Sequence, residues 1–177
     1  MQFKVYLFED LTIKCALQPL TQHRKVAELW LGTSTLENKW PKRVAAPEKA
    51  DILVLSAVLP LATTFALLDQ LPADSSYVQE GRILAQRGSG KHLLTSTLPF
   101  LQHPEDLLTY QAAFLQAEIK GNHPNPGNNT LINPENIYIH PTAQVQGSIL
   151  DASKGPIHIG EGVNLQIGTL IQGPAAL

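Results

Sequence analysis

Phe3 to Phe8 is dense in aromatic and branched side chains and runs into the acidic pair Glu9-Asp10, which predicts a first strand. No regular period follows as far as Gly32, so the stretch that contains ALQPLTQHRKVAEL (16–29) is expected to be irregular. Ser34-Thr35-Leu36-Glu37 has capping-box spacing and predicts a short helix toward Trp40, beyond which Pro41 stops it. Ile52 to Leu55 predicts a buried strand, Leu61 to Leu71 a helix, and Tyr77 to Leu84 a strand broken at Glu80-Gly81. The alternation is that of an α/β domain. Pro104 suits a first helical position, and Leu107, Tyr110, Phe114 and Ala117 share one face before Gly121, an amphipathic helix. Residues 121–136 hold six Asn, three Pro and two Gly without a period, which predicts a linker.

Beyond the linker the period changes to six. Ile139 and Val145 are six apart, as are successive members of Ile159, Leu165, Ile171 and Leu177, while Val145 to Ile159 is fourteen. Four positions beyond these stand Ala143, Ile149, Val163, Thr169 and Ala175, all small or branched. Such a repeat turns one aliphatic side chain inward per face of a triangular coil, the signature of a hexapeptide left-handed parallel β-helix. The two-residue excess falls in DASKGP (151–156), where Gly155-Pro156 marks a turn. Residues 139–177 supply roughly two coils where about three are needed, so a C-terminally truncated fragment of a longer protein is expected.

Composition narrows the function classes. Hydrophobic residues make up 44% and charged residues 16%, with a net charge of -2, which points away from disorder and from a nucleic-acid partner. The uncharged stretch 52–68 is short and is interrupted by Pro60 and Thr63-Thr64, so no membrane span is predicted and a cytoplasmic location is the expectation. The single cysteine, Cys15, allows no internal disulfide and is expected to be a small buried side chain.

SILDASKGPIHIGEGVNLQIGTLIQGPAAL (148–177) combines a Gly-Pro-Ile-x-Ile-Gly turn with an Ile-x-Gly-Pro segment, and the N-terminus contributes FED (8–10), LQPLT (17–21) and HRKVAELWLG (23–32). On these motifs the chain resembles the sugar nucleotidyltransferases that are similar to bacterial N-acetylglucosamine-1-phosphate uridyltransferase. DLLTYQAAFLQAEI (106–119) resembles the helix that leads to their linker, and residues 42–100 match in layout.

The resemblance implies a reduced nucleotidyltransferase-like α/β domain over 1–103, an amphipathic helix and linker over 104–136, and the first coils of a left-handed parallel β-helix over 137–177. It implies transfer of a nucleotidyl group from a nucleoside triphosphate to a sugar 1-phosphate with Mg²⁺. Catalytic roles would fall to Lys25 and Arg24, nucleotide binding to Arg24, Lys25 and Glu28, and the metal to Asp10. Glu28 is also placed to pair with Lys25 across a turn. A homo-oligomer, a trimer in such families, is implied for the intact protein.

The chain departs from that pattern in three places. LTIKCA (11–16) stands where a Gly-rich phosphate turn and an Arg would be, Lys25 replaces a Pro, and Trp30 replaces a second Arg. Two alternatives therefore stay open: a hexapeptide-repeat acyltransferase, and a non-catalytic β-helix oligomerisation scaffold. RGSGKH (87–92) lacks the first Gly and the final Ser or Thr of a phosphate loop. The six histidines show no metal-ligand spacing, and His158, beside inward Ile159, should point outward.

Overall fold

The computed structural model describes residues 3–119 and 127–177, which fall into two compact units. The first comprises Met1–Trp30 and Ser34–Leu107, the second Leu31–Thr33 and Leu108–Leu177. Among the described residues, no helix is long and apolar enough to cross a membrane.

The first unit is α/β, built on a five-stranded mixed sheet. Strands β1 (Val5–Phe8), β4 (Ile52–Leu55), β5 (Ser75–Gln79), β6 (Arg82–Arg87) and β7 (His92–Thr95) lie in the order β1-β4-β6-β5-β7, with short β2 (Trp30–Leu31) and β3 (Ser34–Thr35) outside it. β1 and β4 run parallel from Val5↔Ile52 to Phe8↔Leu55, while β6 is antiparallel to both of its neighbours. Val5 on the edge strand β1 and Ile52, Val54 and Leu55 on its neighbour β4 are fully buried, as branched side chains on covered sheet faces require.

The interruption at Glu80-Gly81 resolves into the two-residue turn of a β5–β6 hairpin. Both residues adopt positive φ, 52° and 74°, the combination that matches strand twist in a tight hairpin. Helix α2 (Ala62–Gln70) buries Thr64 and Leu68, and the Thr64 hydroxyl donates to the Leu59 carbonyl at 2.7 Å. Phe65 meets Trp40 edge to face with centroids 5.3 Å apart.

Three local expectations change. Residues 11–16 form helix α1 (Leu11–Ala16) instead of an irregular loop, because the Asp10 side chain caps it by accepting from the Ile13 N–H at 3.0 Å. α1 buries Ile13, and Cys15 is exposed. Ser34-Thr35 pairs as a strand, and the capping-box segment yields only one 3₁₀ turn at Leu36–Lys39, with no side-chain cap bond.

Helix α3 (Glu105–Glu118) begins one residue after Pro104, and its C-terminal part belongs to the second unit. Its expected stop at Gly121 lies outside the described residues, as does the 121–126 part of the linker. The repeat starts inside the expected linker. Strands β8 (Thr130–Ile132), β9 (Ile137–Ile139), β10 (Gln144–Val145), β11 (Ile149–Asp151), β12 (Ile157–Ile159), β13 (Asn164–Leu165), β14 (Leu170–Gln172) and β15 (Ala175–Ala176) enter three parallel sheets in rotation, β8-β11-β14, β9-β12-β15 and β10-β13.

Ile137, Ile139, Ala143, Val145, Leu150, Ala152, Ile157, Ile159 and Leu165 form the interior, with Leu131, Val163 and Ile171 partly buried against it. Two periodic positions are exposed, and one is Leu177, at 48%. Ile149, expected inward, is 42% exposed, and Leu150 is fully buried in its place, aligned with Leu131 and Ile171. The spacing Val145 to Leu150 is five and Leu150 to Ile159 nine, so the net excess of two splits into one residue lost and three gained.

The Gly-Pro motifs have a steric reason. A Cβ on Gly173 would stand 2.0 Å from the Gly155 carbonyl oxygen, and one on Gly155 would stand 2.9 Å from the Pro174 nitrogen. At this corner the backbones of successive coils approach too closely for any side chain. At the opposite end of β11, Asn129 bridges the repeat: its amide donates to the Val145 carbonyl at 2.9 Å and its oxygen accepts from the Ser148 N–H at 3.0 Å.

Candidate functional site in the first unit

A cavity of about 370 Å³ runs alongside β1 to Glu9, just past its carboxyl end, lined by Tyr6, Leu7, Glu9, Lys25, Glu37 and Arg43 among others. Loops beyond the carboxyl ends of parallel strands are where open α/β sheets place ligands, because the strand ends diverge there. Lys25 reaches this lining from a 3₁₀ turn, Val26–Glu28, which is anchored by buried Val26 and Ala27 and followed by buried Leu29. Among the described residues the Lys25 ammonium forms no ion pair. Arg43 lies close against the Glu37 carboxylate, which neutralises both.

Of the residues singled out from the sequence, only Lys25 lines this cavity. Arg24 is exposed beside it. Glu28 does meet Lys25, but through the backbone: its carboxylate accepts the Lys25 N–H at 3.0 Å. Asp10 is committed elsewhere, capping α1 and pairing with Arg82 at 2.7 Å. Burial works against the Asp10 carboxylate, yet the Ile13 N–H and the Arg82 guanidinium outweigh it and hold its pKa below the ordinary value.

A Mg²⁺ does not fit at Asp10 as it stands. The guanidinium takes up the carboxylate and would repel a dication, and among the described residues no group of three His, Cys, Asp or Glu is arranged to hold a metal ion.

Sequence reading missed Glu9 and Arg43. Glu9 is the first residue past β1, where a parallel strand delivers its side chain to the cleft. Its carboxylate oxygen accepts the Val26 N–H at 2.9 Å and the hydroxyl of buried Ser56 at 3.2 Å, with Lys14 at 3.8 Å from the other oxygen. Arg43 itself bridges Val5 of β1, a contact that no local motif announces.

The RGSGKH turn grips an anion after all, though it is the protein's own. Asp74 accepts the Ser89 N–H at 2.9 Å and the Ser89 hydroxyl at 2.8 Å, and these bonds lower its pKa. In the second unit His158 points outward as expected, stacked on Tyr138 with centroids 4.7 Å apart and planes 5° from parallel. Burial lowers the His158 pKa and His140 adds to this, against the opposing pull of Glu118. Neither a protein-family model nor a curated protein matches the chain.

Proposed function

We propose that the protein is a sugar-1-phosphate nucleotidyltransferase whose substrate phosphates enter the cleft beside β1. The observation that carries this reading is the uncommitted Lys25 ammonium on the lining of that cleft. In the proposed reaction an oxygen of the sugar phosphate attacks the α-phosphorus of a nucleoside triphosphate. The bond from that phosphorus to the bridging oxygen breaks, and pyrophosphate leaves. Lys25 neutralises charge on the phosphate oxygens, and Arg24, next in the chain and exposed, adds a second cation at the rim.

We infer that the second unit is a left-handed parallel β-helix, on the support of three parallel sheets visited in rotation, and that the protein assembles as a homotrimer. A non-catalytic scaffold is the competing reading. It is favoured by α1, which turns a backbone N–H toward Asp10 where a Gly-rich loop would turn its own toward phosphate.

The test is calorimetric titration of the full chain with UTP and with dTTP in the presence of magnesium, beside Lys25→Ala. Saturable binding that weakens roughly 10-fold or more in the variant is expected, the scale of a lost hydrogen bond to a charged group. Absence of binding, or equal binding by the variant, would refute the nucleotidyltransferase reading and leave the scaffold and acyltransferase readings.

A further inference from the structure

The structure assigns Glu9 as a positioning residue that aims Lys25 into the cleft; this rests on the proposal that Lys25 meets substrate phosphate. Lys25 sits between two peptide groups, and each is held by a carboxylate. Its own N–H donates to Glu28 at 3.0 Å, and the next N–H, that of Val26, donates to Glu9 at 2.9 Å. Val26 opens a 3₁₀ turn, so its N–H has no partner within the turn, and Glu9 supplies one. The same Glu9 oxygen takes the hydroxyl of Ser56, which follows β4 and is 1% exposed. Glu9 therefore ties the ends of β1 and β4 to the turn that carries Lys25, and fixes the direction in which its Cβ leaves the backbone.

A negative charge in the lining of a phosphate cleft works against ligand binding, so charge does not account for Glu9. Its acceptor geometry does. Lys14, 3.8 Å from the second oxygen, offsets part of the charge. Replacement by Gln keeps a carbonyl oxygen for Val26 and Ser56 and removes the repulsion, whereas replacement by Ala removes both bonds.

The experiment compares wild type, Glu9→Ala, Glu9→Gln and Lys25→Ala, with UTP and magnesium as the probe. It is read by calorimetry and by hydrogen exchange at the Val26 amide, which needs no ligand. Glu9→Ala should bind roughly 3- to 10-fold more weakly and lose Val26 protection, while Glu9→Gln should bind at least as well as wild type and keep it. Rescue by Gln separates an acceptor role from a general loss of folding. Wild-type binding by Glu9→Ala with weakened Lys25→Ala would overturn the positioning role and leave the cleft intact. Equal weakness of Glu9→Gln and Glu9→Ala would overturn it as well. Unchanged binding by Lys25→Ala would remove the reading on which it rests, and the inference with it.

Discussion

Leu150→Ala and Ile149→Ala, made separately, test the shift in the repeat. Leu150 is fully buried, and the void left by truncation would open at the middle of a three-strand stack between Leu131 and Ile171. Buried Leu→Ala substitutions cost about 2–5 kcal/mol, and the spread follows how far the surroundings collapse. Leu131 and Ile171 are only partly buried and can move, which places Leu150 in the lower part of that range, about 2–3 kcal/mol. Ile149 is 42% exposed and its strand neighbours are Thr130 and Leu170, so its truncation should cost about 1 kcal/mol or less. Native-state hydrogen exchange at the β9 and β12 amides reads the second unit. Leu150→Ala should lower protection roughly 30- to 150-fold, Ile149→Ala by less than about 10-fold. Equal losses, or a larger loss for Ile149, would refute the shift and restore an unbroken period of six as far as Ile149.

Gly173→Ala should destabilise the second unit more than a surface substitution does, because its Cβ would overlap the Gly155 carbonyl oxygen; exchange at the β12 and β15 amides checks it. His158 should titrate below 6.5 by NMR. A depressed native pKa on a base means that the unfolded chain binds the proton more tightly, so this contribution to stability is full above 6.5 and is lost as pH falls through the native value. A midpoint above 6.5 would contradict the burial argued for it. Asp10 has the same sign in an acid window: its contribution is full above 3.8 and fades as pH falls through the lower native pKa. Asp10→Asn keeps the cap but loses the charge facing Arg82, so a loss of about 1 kcal/mol or less at neutral pH and a flatter acid limb are expected in urea midpoints.

The repeat was legible because a narrow coil interior asks for one aliphatic residue per face, and Ile139, Val145, Ile159 and Leu165 answer at that spacing and are buried. Its irregularity was hidden because Ile149 and Leu150 are adjacent and both aliphatic, so composition cannot say which turns inward. Pairing decides it, by placing Leu150 level with Leu131 and Ile171. The parallel β1–β4 pair begins with two apolar runs that the pattern already marked. α1 was missed for a different reason: six residues carry too little periodicity, and the decisive signal was the N-cap Asp10, which had been assigned to a metal. In the cleft, Lys25 was legible from its motif, whereas Glu9 and Arg43 depend on contacts across 17 to 47 positions and on a bridge beside β1.

Several N–H groups in the loops among the described residues are taken by the protein's own carboxylates. Asp10 holds Ile13, Glu28 holds Lys25, Glu9 holds Val26, Asp74 holds Ser89, and Asp106 holds Gln102 and His103. A family that grips phosphate with backbone N–H groups would need those donors free, and in this chain they are spent on folding the loops. A phosphate arriving at the cleft beside β1 is then met by side-chain charge, with Lys25 uncommitted and Arg43 shared with Glu37. Binding through exposed side-chain cations is weakened by salt far more than binding through a buried backbone cradle. The salt dependence of UTP binding therefore separates the two ways of holding phosphate: a steep fall in affinity between low and physiological ionic strength fits Lys25, and a flat response would place the phosphate on backbone donors that this structure shows to be occupied.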